Sequence, residues 1–403
     1  MTTTPVRPQT LAILGGTPVR ASLLPYGRQS IDEADIQAVV EVLRSDWLTT
    51  GPKVGEFEEA FAARVGAKHA VSFSSGTAAL HGAAFAAGLK PGDEAITTPM
   101  TFAATANCVL YQGATPVFAD VSADTLNLDP EQVLRHITPK TRAILPVDYA
   151  GHPADLDGIR KIAAMHGLIV IEDACHALGG QYRGQNVGSI ADMTVFSFHP
   201  VKHVATGEGG MVATNNPRFA ETLRRFRNHG ISSEARQRQT AGQWHYEMVL
   251  LGFNYRLPDI LCALGIQQLK KLNASLTRRR EIAAQYMAAF REISGIIPPA
   301  VRADVDPAWH LYPIRLELKQ LSADRGQFFR ALRAENIGVS VHYIPVHLHP
   351  YYRDRFGYQG TEFPIASDEY SRLISLPMFH GMTGQDVEDV ITAVRKVARH
   401  YAR

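Results

Sequence analysis

The run Leu168–Ile171, four apolar residues in succession leading into Glu172-Asp173, restricts the fold more than any other stretch of the chain. A strand apolar at every position must be covered on both faces, as in a parallel sheet layered between helices. In open α/β sheets, ligands bind at the carboxyl ends of such strands, which is where the acidic pair falls. Strand-like runs recur at Glu94–Thr98, Thr115–Ala119 and Arg142–Val147, with helical patterns between them. The alternation predicts an α/β fold with a mainly parallel central sheet.

A second stretch, V-F-S-F-H-P-V-K-H-V-A-T-G-E-G-G-M (Val195–Met211), sets one lysine between a β-type run and a glycine cluster. Thr194–Phe198 is aromatic and β-branched and reads as a buried strand; Pro200 removes the next backbone donor and forces a turn. Lys202 then lies on a loop past a strand end. Partial desolvation there disfavours the ammonium and leaves the free amine that attacks a carbonyl to form a Schiff base. Gly207, Gly209 and Gly210 allow a sharp turn and a close approach to a flat ligand. Alone, such a lysine is equally an ordinary solvated loop residue.

A third stretch, V-S-F-S-S-G-T-A-A-L (Val71–Leu80), leads a short strand through Ser74, Ser75, Gly76 and Thr77 into an alanine-rich helix. Free N–H groups and hydroxyls at a helix N-terminus form a phosphate cup, although Ser-Gly-Thr is also a common N-cap. Lysine, carboxylate and cup all lie at carboxyl ends of predicted strands, and together they describe a site for pyridoxal 5′-phosphate. Lys202 is its catalytic amine, and Asp173 faces the ring nitrogen, keeping it protonated and the ring electron-accepting. His176 either lies against the ring or is a locally hydrogen-bonded histidine.

The order S-S-G-T-A-A-L, E-D-A-C-H-A-L-G, S-F-H-P-V-K-H-V-A-T-G-E-G-G and G-F-N-Y-R-L (Gly252–Leu257) resembles the sugar aminotransferases of the DegT/DnrJ/EryC1/StrS family, from about Pro25 to the C-terminus. The resemblance implies fold type I of the pyridoxal-phosphate transferases, the aspartate aminotransferase-like architecture. It implies that Phe102 stacks on the cofactor ring, where a core phenylalanine is the ordinary alternative. It implies a homodimer with shared sites, in which Asn254 reaches the partner's cofactor phosphate beside Ser75, Gly76, Thr77 and Ser197. It implies L-glutamate as donor and a UDP-linked keto sugar as acceptor. Arg256, His342, Tyr343 and His347 are candidates for the uridine diphosphate and sugar, each with ordinary packing or surface roles as alternatives.

Within the family, P-Y-G-R-Q-S-I, S-D-W-L-T-T-G-P (Ser45–Pro52) and H-P-V-K look most like the pseudaminic acid branch. That branch aminates C4 of a UDP-4-keto-6-deoxy-N-acetyl-hexosamine, giving UDP-4-amino-4,6-dideoxy-N-acetyl-β-L-altrosamine. Transaminases for a UDP-4-ketopentose or a dTDP-keto sugar remain alternatives, while S-F-H-P-V-K departs from the S-F-N-G-N-K of the legionaminic branch. A non-catalytic sensor on the same fold would be expected to have lost the lysine or the carboxylate, and the family's dehydrases carry histidine in place of the lysine.

At 403 residues the chain exceeds what one hydrophobic core usually serves. The expected layout is an N-terminal arm over 1–24, a large cofactor-binding domain over 25–272 and a smaller C-terminal α/β domain over 273–403. With 45% hydrophobic and 20% charged residues and a net charge of +2, nothing points to a nucleic acid partner. No run approaches the ~18 apolar residues of a membrane span, and the N-terminus lacks the basic and apolar regions of a signal peptide; a cytoplasmic protein is expected. Cys108, Cys175 and Cys262 are too scattered for a disulfide framework or C-x-x-C site and read as small buried hydrophobes. His342, His347 and His349 have no acidic residues nearby to complete a ligand set, so no metal is expected. Ser30–Glu33 reads as a capping box before an amphipathic helix carrying Ile36, Val39, Val40 and Leu43.

Overall fold

The computed structural model describes residues 10–233, 238 and 240–403; the first nine residues of the expected arm lie outside these. The central sheet has seven strands: β1 (His69–Phe73), β2 (Glu94–Thr97), β3 (Thr115–Phe118), β4 (Thr141–Leu145), β5 (Ile169–Asp173), β8 (Met193–Ser197) and β9 (Gly210–Thr214). Their spatial order is β1-β9-β8-β5-β4-β2-β3. Only β9 runs against its neighbours, pairing antiparallel with both β1 and β8. The expected α/β class is therefore what the chain forms. The strand the sequence reading missed is β9, whose opening Gly210 looked like part of a turn.

Period-two alternation divides the strands between two cores. Val71 and Phe73 of β1, Val195 of β8 and Val212 of β9 face one cluster. Ala70, Phe196, Met211 and Ala213 face the other. Helix α1 (Glu33–Leu43) is capped at Asp32 through a reciprocal box with Asp35, not at Ser30 as expected. It buries Asp35, Ala38 and Val42, while Ile36 and Leu43 are 49% and 55% exposed, so the predicted apolar face is only partly the packed one. The register is set by polar contacts: Asp35 accepts from Gln268 and pairs with Lys271.

The strands β10 (Ile296–Ile297), β12 (Tyr312–Leu316) and β13 (Leu373–Leu376) form a smaller antiparallel sheet. The two-residue strands β6 (Gln181–Tyr182), β7 (Gln185–Asn186) and β11 (Val305–Asp306) form a third. The helix Leu272–Phe290 gives Leu272 and Leu276 to a core of the large sheet, and Ile282, Ala283, Tyr286 and Phe290 to that of the smaller one. The passage between the two bodies thus runs inside this helix. Loops of the smaller body hydrogen-bond back to the large sheet, Ala308 N–H to Gly151 O at 2.8 Å and Val346 N–H to Pro99 O at 2.8 Å. These bonds bring His310, His342 and Tyr343 over the strand ends. No helix among the described residues is long and apolar enough to cross a membrane.

Residues 10–24 are packed, with Leu11 and Leu24 buried in the core of the smaller body. Glu335, fully buried, accepts from the N–H groups of Ala12 and Val19, both at 2.9 Å, and pairs with Lys396 Nζ at 2.8 Å. Removing one member of a buried pair strands the other, at a cost of roughly 3–5 kcal/mol. Glu335→Ala should accordingly lower stability by about 3 kcal/mol and expose the bond region 10–20 to protease. An unchanged denaturation midpoint would show that the clasp contributes nothing.

Candidate active site

The carboxyl ends of β1, β2, β4, β5 and β8 lie along one edge of the sheet, and a cavity of about 450 Å³ opens there. Ser75, Gly76, Thr77, Phe102, Asp173, His176, Ser197 and Lys202 all line it, with His342 and Tyr343 from the smaller body. The sequence stretches thus converge on one space.

Helix α3 (Gly76–Ala86) starts at the cavity, capped by the Ser75 hydroxyl, which accepts from Ala78 N–H at 3.1 Å. The first N–H groups of a helix have no intrahelical acceptor, and those of Gly76 and Thr77 begin this one, beside Ser197. Glycine at residue 76 leaves Ser197 close to the cup: an added Cβ would lie 3.0 Å from Ser197 Cβ, a tight contact that Ser197 would have to relieve. Gly210 acts on the same cup, since a Cβ there would lie 2.4 Å from Ser75 O, while Gly207, with a φ of +88°, serves the turn before β9. The result is a narrow, donor-rich concavity suited to a phosphate.

Lys202 follows a turn in which its N–H donates to His199 O at 2.8 Å. Burial lowers its pKa, opposed by the nearby Cys175 and Asp173, so the free amine is favoured over an exposed lysine's. Asp173 is 6% exposed and held at both oxygens: Thr105 Oγ1 donates to Oδ2 at 2.7 Å, and Cys175 N–H to Oδ1 at 3.2 Å. His176 is buried, and burial together with Lys202 holds its pKa well below the usual value, so the ring is neutral. Its Nε2 lies 2.9 Å from Tyr343 Oη, while Nδ1 has no partner. Cup, amine and fixed carboxylate, with the His176 ring at the cavity wall, together fit pyridoxal 5′-phosphate.

Phe102 is 61% exposed at the cavity and so is not a core residue. Cys175 lines the cavity half-buried, unlike Cys108 and Cys262, which are fully buried as expected. His347 is not among the cavity-lining residues: it is fully buried against Phe363, with neither ring nitrogen partnered, and burial lowers its pKa to about 4. It packs and does not face the cavity. Arg256 lines a separate cavity with Arg227 and Asn228, donating to Asn228 Oδ1 at 2.6 Å. Asn254 is exposed and outside the central cavity; Ser74, half-buried, also lies outside it, its N–H donating to Tyr255 O at 2.7 Å. Sequence reasoning missed Tyr26, Thr105, His199, Glu208 and His310. Thr105 alone had a signal, lying three residues after Phe102 and so on its side of helix α4 (Ala103–Tyr111).

A family model described as the DegT/DnrJ/EryC1/StrS aminotransferase family matches residues 29–395. The chain belongs to this family. The spore coat polysaccharide biosynthesis protein SpsC of Bacillus subtilis is 47% identical over 382 residues, covering 94% of this chain and 98% of that protein. Among solved structures, a putative sugar aminotransferase of Streptococcus pneumoniae, Spr1654, in its PMP-form, superposes with a TM-score of 0.89 at 32% identity, over 94% of this chain and 99% of the other. Helicobacter pylori PseC, an aminotransferase involved in the biosynthesis of pseudoaminic acid, gives a TM-score of 0.88 at 33% identity, over 94% and 100%. Spr1654 also has a PLP-form.

In this member of the family, Asp173 sits in front of two further buried acids. Asp148 and Glu172 are both 0% exposed, and each has one oxygen without a partner, Asp148 Oδ2 and Glu172 Oε1. The other oxygens are satisfied, by Ala154 N–H at 2.9 Å and by Thr194 Oγ1 at 2.7 Å. One proton shared between the two carboxyls answers both vacancies. Burial is the main cause of the raised pKa of each, bringing Glu172 to about 7. A pKa raised on folding adds stability at low pH, complete below the unfolded value near 4.5 and lost as pH rises through about 7. Replacing Glu172 with glutamine keeps a donor for Asp148 and removes the titration. The difference in stability between wild type and Glu172→Gln should shift against wild type from pH 5 to pH 8. A pH-independent difference would refute the shared proton; buried neutral histidines are common to both proteins and cancel.

Proposed function

We propose that the protein is a pyridoxal-phosphate-dependent sugar aminotransferase that moves the amino group of L-glutamate to C4 of a UDP-linked 4-keto-6-deoxy-N-acetyl-hexosamine. The observation that carries this reading is that Lys202, Asp173 and the α3 cup line one cavity. When bound, pyridoxal phosphate supplies a ring that takes up the electrons of a broken C–H bond. Ser75, Gly76, Thr77 and Ser197 would hold its phosphate, with Asn254 of the partner subunit across a two-fold axis. Phe102 would cover one face of the ring.

Lys202, whose amine form is favoured by burial, would accept the proton from the donor's α-carbon and return protons in the acceptor half-reaction. Asp173, fixed by Thr105 and Cys175, would set a carboxylate against the ring nitrogen, where a negative charge favours protonation. Tyr343 orients His176, and His342, bonded through Nδ1 to Ser375 Oγ at 2.9 Å, stands at the sugar side. We place 25–272 and 273–403 as the two domains that enclose the substrate.

A second reading concerns only the acceptor. It rests on the 47% identity to SpsC, a spore coat polysaccharide biosynthesis protein, and takes a different nucleotide-linked keto sugar as acceptor. A panel of UDP- and dTDP-linked 4-keto sugars assayed with glutamate separates the two. Preference for the UDP-4-keto-6-deoxy-N-acetyl-hexosamine supports the first reading; preference for a UDP-4-ketopentose or a dTDP sugar replaces it.

The purified protein should be yellow, with borohydride fixing the chromophore on Lys202. Lys202→Ala should lose both this attachment and turnover. Asp173→Asn should retain cofactor and lose about 10²-fold or more in turnover. Near-normal turnover of Asp173→Asn would remove that residue from the chemistry. Mixing Lys202→Ala with Asn254→Asp should restore activity after subunit exchange if sites are shared. Mixed dimers without activity would refute sharing.

A further inference from the structure

A second cavity, of about 30 Å³, shares Lys202 with the first. Arg28, His203, Lys271, Arg279 and His380 also line it, and no Asp or Glu does. Arg279 is only 2% exposed. Its Nη1 donates to the carbonyls of Trp309, His310 and Met378 at 2.9, 3.2 and 3.0 Å, and its Nε has no partner. Carbonyl dipoles solvate a guanidinium without neutralising it, and among the described residues no carboxylate pairs with Arg279. Burial lowers its pKa to about 10.

The neighbouring charges offset it only in part: Lys271, which lines the cavity, is paired with two carboxylates, Asp32 and Asp35, behind it. Arg28, exposed at the mouth, forms no ion pair among the described residues. His380 and His203 are both held below the usual histidine pKa, first by burial, with Arg279 adding to the effect. With Lys202 favoured as the uncharged amine, Arg28 and Arg279 leave a net positive charge around this void of about 30 Å³. A halide or a single carboxylate fits such a space; a whole metabolite does not.

We infer that this cavity binds one small anion, of carboxylate type, and, resting on the function proposed above, that the anion is a carboxylate of the amino donor. A donor whose α-carbon meets Lys202 Nζ carries its α-carboxylate one bond away, beside the wall that the two cavities share. Holding it there would orient the α C–H toward the amine and leave the larger cavity free for the sugar nucleotide.

The test has two arms, both with the holoenzyme. In the first, thermal unfolding is followed against sodium acetate and, separately, sodium chloride, without donor or acceptor, for wild type, Arg28→Glu and Arg28→Lys. A saturable rise in unfolding temperature in wild type, lost in Arg28→Glu and kept in Arg28→Lys, supports the anion site. Parallel curves for all three overturn it. This arm is independent of whether the protein transaminates. In the second, steady-state kinetics with glutamate should show a KM raised about ten-fold in Arg28→Glu, equivalent to one charged contact, with acetate competing in wild type. Acetate stabilisation with an unchanged glutamate KM and no competition overturns the donor assignment and leaves a site for a free anion.

Discussion

The cavity depends on a contact in which there is no room for a side chain, that between Gly210 at the start of β9 and the backbone of Ser75. A Cβ there would lie 2.4 Å from Ser75 O and 2.9 Å from Gly76 Cα. Because β9 is inserted antiparallel between β1 and β8, its first residue lies level with the last residues of both, Phe73 and Ser197. The α3 N-terminus can settle on the sheet edge only if that residue is glycine. Close packing of backbone on backbone sets the distance between cup and Ser197 and, through the loop after β8, that to Lys202.

The same edge concentrates charge that an apolar sheet cannot solvate. The fold meets it in different ways. Asp173 is held by a hydroxyl and an N–H. Asp148 and Glu172, both raised in pKa chiefly by burial, are matched by a proton that the pair would share. Arg227 is engaged by Glu58 and by the carbonyl and hydroxyl of Ser72. Arg279 is solvated by carbonyls and, among the described residues, pairs with no carboxylate; it lines the small cavity that shares Lys202 with the larger one.

Much of this was legible from local chemistry. An all-apolar run ending in Glu172-Asp173, a proline turn before Lys202 and a Ser-Gly-Thr helix start each state their role within a few residues. Strand ends, helix capping and proline breaks are short-range physics, so β1, β5, β8 and α3 fall close to where the sequence places them. The capping of α1 did not follow. Asp32 and Asp35 displace Ser30 because Lys271 and Gln268, more than 230 residues away, engage Asp35.

By itself, then, the sequence determined the α/β class, the three cofactor-facing stretches and the family. Only the tertiary structure decided that His347 packs while His342 and Tyr343 reach the cavity, that Thr105 holds Asp173, and that Lys202 borders a second, cation-lined space. Neighbours in space that are distant in the chain leave no periodicity or spacing to read. Whether a histidine lies in a core or at a cavity wall depends on which side of a packed loop it emerges from.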